Sequence, residues 1–145
     1  MTSRFLARFP LLAAASLPAF PALVFADDTP SSCDALRQIV AAAPDGFKSL
    51  RGTNGAAGVA LPYGDDARCM VTDGGYQCTW TPRGGSGADA LQAAGAEIAA
   101  CLPDATHDLN TPALQRFYMG ELGHRTQITA TLFGATRLRL AVTAR

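Results

Sequence analysis

The chain has 145 residues, 48% of them hydrophobic, and its twelve lysines and arginines match its twelve acids. That length fits one domain and hardly two, and a balanced charge excludes electrostatic capture of nucleic acid or of an anionic membrane. Four cysteines, with no Cys-x2-Cys pair and only two histidines far from them, read as two disulfides rather than as a zinc site.

Residues 1–26 read as a secretory signal peptide. Arg4 and Arg8 form its cationic start, 11–25 its apolar stretch, and Val24-Phe25-Ala26 its cleavage site. Pro10, Pro18 and Pro21 would break a continuous helix, and a membrane span needs about 20 apolar residues. Ser31-Ser32-Cys33 lacks the leucine of a lipid-attachment box. The expectation is cleavage, no membrane association afterwards, and a place in a bacterial periplasm or outside the cell. Residues 27–145 then form a single disulfide-stapled domain, in which twelve acids and ten bases leave a net charge of −2.

A first helix is predicted over 33–43, with Ser32 as its cap and Asp34 in its first turn. Cys33, Leu36, Val40 and Ala43 fall on one stripe, and Pro44-Asp45-Gly46 stops the helix. Residues 47–50 read as a short strand or as the apolar tail of that helix. The Gly- and Ala-rich stretch 51–66 reads as a loop with one edge strand at 59–61.

A β-hairpin follows over 68–72 and 76–81. Asp73-Gly74 suits a two-residue type I′ turn, which needs φ > 0 at both positions. Counting outward, Thr72 faces Gly75, Val71 faces Tyr76 and Cys69 faces Cys78, a non-hydrogen-bonded pair close enough for a disulfide. Cys69, Val71, Tyr76, Cys78 and Trp80 form the core face, while Arg68, Met70, Gln77 and Thr79 form the other. The remaining cysteines, Cys33 and Cys101, make the second bridge.

Ser86 caps a second helix over 88–102, with Asp89 three residues on. Its stripe is Leu91, Ala94, Gly95, Ile98, Cys101 and Leu102, and Gly95 allows another element to approach closely. After a polar loop come strands over 115–119, 125–133 and 137–143. A three-residue loop, Gly134-Ala135-Thr136, pairs Leu132 with Leu138, Ala130 with Leu140 and Ile128 with Val142, because register follows the buried face. The fold class is α+β: two helices packed on an antiparallel sheet of about five strands, with two disulfides.

Gly84-Gly85-Ser86-Gly87-Ala88 lies between strand and helix, as a nucleophile-elbow serine does, and Asp104, His107, Asp108 and His124 follow it. Ala88 replaces the motif's last glycine, the preceding strand belongs to a hairpin, and the chain is short for that class, so a serine hydrolase built on Ser86 ranks last. His107, Asp108 and His124 match no metal-ligand spacing, and Glu97 and Glu121 are not placed together for acid–base work. No cofactor and no catalytic set is expected. Tyr118 has the opposite parity to Phe117 and Met119 and is the candidate exposed aromatic.

The last feature is an asymmetry of charge. Residues 112–145 hold five arginines, one acid and no lysine. The register just given puts Arg125, Arg137, Arg139 and Arg145 on the outer face of the last hairpin, among Gln127, Thr129, Thr131 and Thr143. Planar guanidinium groups suit carboxylate or phosphate recognition. The expected function is therefore a small exported, non-catalytic binding or inhibitor-type protein whose partner is an acidic protein or a carboxylate or phosphate ligand. The alternative is an accessory subunit of a bacterial cell-envelope assembly.

Overall fold

A computed structural model describes residues 31–64 and 66–145. The signal-peptide reading, over residues 1–26, lies outside those residues.

Helix α1 spans Ser32–Ala41 and buries Ala35, Leu36 and Ile39. Its cap is Ser31, one residue earlier than expected, whose hydroxyl accepts from the Asp34 amide at 3.2 Å. Ser32 is thereby released, and its hydroxyl donates instead to the Glu97 carboxylate. Residues 47–50 are not a strand. Phe47 is fully buried at φ 62°, and a short 3-10 turn, Lys48–Leu50, follows it. A left-handed non-glycine residue costs about 1–2 kcal/mol, and a buried phenylalanine side chain offsets that with about 1.5–3 kcal/mol. The edge strand expected at 59–61 is also missing. Leu61 is buried there, and the Val59 carbonyl accepts from the Tyr76 hydroxyl.

Strands β1 (Arg68–Thr72) and β2 (Gly75–Trp80) pair Cys69 with Cys78 and Val71 with Tyr76. The turn differs from the one expected: Gly74 alone has positive φ, 84°, and Asp73 does not. Two restraints beyond the turn hold the register, the Cys69–Cys78 disulfide and a second partner strand along β2. Helix α2 (Gly87–Cys101) is capped by Ser86 and buries Leu91, Ala94, Gly95, Ile98 and Cys101. A disulfide joins Cys101 to Cys33, with Cα atoms 4.9 Å apart.

Strands β3 (Thr106–Asn110), β4 (Leu114–Met119), β5 (Thr126–Phe133) and β6 (Arg137–Ala144) complete one antiparallel sheet in the order β1-β2-β6-β5-β4-β3. The sheet has six strands, not about five. The extra strand is β3, read from sequence as loop because Thr-His-Asp-Leu-Asn has one apolar residue and no alternation. It is an edge strand, bonded only to β4 and shifted in register between His107 and Leu109, so it has no second neighbour to demand apolar side chains.

One face of the sheet is the core. Val71, Tyr76, Val142, Ile128, Phe117 and His107 form one row across all six strands. Cys78, Leu140, Ala130 and Gln115 lie in the next. Both helices cover this face, and Leu36, Ile39, Leu91 and Ile98 close the hydrophobic cluster. No helix among the described residues is long and apolar enough to cross a membrane.

Candidate functional site

Among the described residues, no helix lies on the opposite face of the sheet. Its rows follow from the same pairing. Arg68, Thr79, Arg139, Thr131 and Leu114 form one, and Met70, Gln77, Ala141, Thr129, Arg116 and Leu109 the next. The third holds Thr72, Gly75, Thr143, Gln127, Tyr118 and Thr106. Arg137 lies opposite Phe133 at one end of the β5–β6 hairpin. At the other end the Arg145 amide donates to the Arg125 carbonyl. The structure thus places Arg125, Arg137, Arg139 and Arg145 on one face, and adds Arg116 and Arg68.

Four of these arginines, Arg116, Arg125, Arg137 and Arg139, are not freely solvated. The Arg139 guanidinium carbon lies 3.6 Å from the Phe133 ring centroid, and Arg116 and Arg125 flank Tyr118 at 5.7 and 5.6 Å. Arg125, Arg137 and Arg139 are only half-buried, yet the Nε atom of each is buried with no hydrogen-bond partner. Their exposed surface lies elsewhere on the side chain. Arg137 turns one Nη toward the Thr79 hydroxyl, at 3.4 Å. Stacking on a ring limits guanidinium motion, so less entropy is lost when an acceptor binds.

The face is knitted together between these cations. The Tyr118 hydroxyl donates to Gln127 Oε1 at 3.1 Å, and Gln127 Nε2 donates to Thr129 Oγ1 at 3.0 Å. Asp108, carried at the β3 irregularity, takes two bonds from Arg116: Nε at 2.8 Å and Nη at 2.6 Å. Its hydrogen bond holds the Arg116 guanidinium above its ordinary pKa. Asp66 lies beside Arg137, although its carboxyl is lowered first by the hydroxyl and amide of Thr81 and only then by that arginine. The remaining cations leave the face strongly positive.

The arginines fall into two groups. Arg68, Arg137 and Arg139 lie toward one end, and Arg116, Arg125 and Arg145 toward the other. Thr131, opposite Arg139, lies six residues further along the chain than Arg125, which is about 20 Å of extended chain.

Sequence reasoning missed three members of this site. Arg116 alternates with Gln115 and Phe117, so parity alone could have placed it. Phe133 follows inward-facing Leu132 and could have been placed the same way. Arg68 could not, because only the long-range pairing of β2 with β6 brings the first hairpin beside the last.

The other candidate residues are placed separately. Ser86 Oγ accepts from the Asp89 amide at 3.1 Å and donates to its carboxylate at 2.6 Å, as a helix cap does. His107 stacks on Phe117, with centroids 4.1 Å apart, and its Nε2 bonds Gln115 Oε1 at 2.8 Å. His124 lies in the turn before β5. Among the described residues no group of three His, Cys, Asp or Glu is placed to hold a metal ion. The chain matches no protein family, no curated protein and no solved structure.

Proposed function

We propose that this chain is an exported, non-catalytic binding or inhibitor-type module, of the periplasm or the extracellular space, whose open sheet face takes an acidic protein. The observation that carries this reading is the set of arginines held against aromatic rings on the open face, Arg139 on Phe133 and Arg125 and Arg116 about Tyr118. A face built only for solvation has no need to hold guanidinium groups against aromatic rings. Six strands make the face broad, and a broad flat surface suits another protein better than a small ligand. Two disulfides fit an oxidising compartment. Ser86 is spent on a helix cap, which weighs against a hydrolase.

The test compares two charge-matched double variants on immobilised poly-L-glutamate at low salt. Arg125→Glu with Arg139→Glu reverses two charges on the face. Lys48→Glu with Arg51→Glu makes the same net change at exposed sites off the six strands. The first should lose at least about tenfold in retention affinity, as each interfacial charge reversal costs 1 kcal/mol or more. The second should lose little. Equal losses would reduce the face to a contribution to net charge.

A further inference from the structure

A second site lies on the helical side of the sheet and does not depend on the arginine face. A cleft of about 580 Å³ opens between the start of α1, the outer turns of α2 and the β2–α2 connection. Cavities of roughly 300–1,000 Å³ accept small organic ligands. The walls are apolar and aromatic: Tyr63, Pro62, Pro82, Ala90 and Ala93 line it, and the buried Trp80 ring backs Tyr63 with centroids 4.6 Å apart. Among the described residues one carboxylate lines it, that of Glu97.

Three observations fix the chemistry this cleft would take. Glu97 is half-buried, and its one hydrogen bond among the described residues comes from the Ser32 hydroxyl, which pins Oε1 and leaves Oε2 as an acceptor. No cation among the described residues forms an ion pair with it. A partly desolvated carboxylate favours a counter-charge. Burial first, and the Glu97 charge next, raise the Tyr63 phenol above its ordinary range, so the negative field reaches the aromatic wall. Aromatic faces and a carboxylate together attract an organic cation. Arg83 also borders the cleft and is itself partnered within the protein.

We propose that this cleft binds an organic ammonium ion on a short apolar body, with the charged head on Glu97 and the body along Tyr63, Ala90 and Ala93, above the buried Trp80. The protein carries its own reporter, because Trp80 is the sole tryptophan. Titration of the exported, disulfide-bonded chain with n-hexylammonium should change Trp80 emission saturably, with half-saturation at or below about 1 mM, a modest affinity for a ligand of that size. Glu97→Gln keeps the side-chain shape and an acceptor for Ser32, and should weaken the response at least tenfold. n-Hexanol, with the same body and no charge, should bind the unaltered protein at least tenfold more weakly, which tests the claim without a variant. No saturable change, an undiminished response in folded Glu97→Gln, or equal binding of hexanol would each overturn the proposal. Neither outcome bears on the arginine face, which lies on the other side of the sheet.

Discussion

Gln115 is the one fully buried polar side chain among the described residues, and every part of its amide is engaged. Its Oε1 meets His107 Nε2, and its Nε2 donates to Asn110 Oδ1 at 2.7 Å and to the Thr111 carbonyl at 3.2 Å. Because Oε1 can only accept, the His107 nitrogen facing it is the donor. A Cβ added at Gly95 would lie 3.0–3.1 Å from three atoms of this pinned side chain. Gly95→Ala is therefore expected to destabilise by about 1 kcal/mol, as overpacking costs about 1–3 and helix propensity returns about 1. Urea unfolding measures it, and a stabilised variant would mean that Gln115 yields. Tyrosine ionisation gives a second test. Burial raises the phenols of both Tyr63 and Tyr76. Their folded pKa values exceed the unfolded one, so the stability they contribute is intact below about pH 10 and falls as pH rises above it. Absorbance at 295 nm should show two of the three tyrosines ionising only as near-UV dichroism is lost. Smooth ionisation in a folded protein would contradict their burial.

At the scale of the element, the two disulfides restrain very different lengths of chain. Cys33 and Cys101 are 68 residues apart, Cys69 and Cys78 only 9. Closing those loops removes unfolded-chain entropy worth about 4 and about 3 kcal/mol. Replacing Cys33 and Cys101 together by alanine should accordingly lower stability by about 1–2 kcal/mol more than replacing Cys69 and Cys78. Denaturant titration of the two double variants decides it, and the reverse order would show that the short bridge restrains more than its own hairpin. The same contrast governs what could be read in advance. The hairpin of β1 and β2 was legible because a two-residue loop and a buried face dictate its register locally, whatever the φ of Asp73. The β5–β6 register was legible for the same reason: Leu132 opposite Leu138 is the choice that buries both apolar rows. Strand β3 was not legible, since an edge strand bonded on one side needs no apolar alternation. Nor was the contact of Ser32 with Glu97, which joins residues 65 apart.

For the whole molecule, sidedness is the organising fact. Both helices lie on one face of the six-stranded sheet, and the other face keeps a ladder of threonine, glutamine and stacked arginine. The parity of the arginines was legible; the width of the face was not, because the long-range pairing of β2 with β6 adds the first hairpin to it. The most direct measurement of the central claim is amide chemical-shift mapping during titration with a short poly-L-glutamate. The account expects saturable shifts concentrated along β5 and β6, at Thr129, Thr131, Ala141 and Thr143, with α1 and α2 nearly silent. Shifts centred on the helices, or none at low salt, would contradict it.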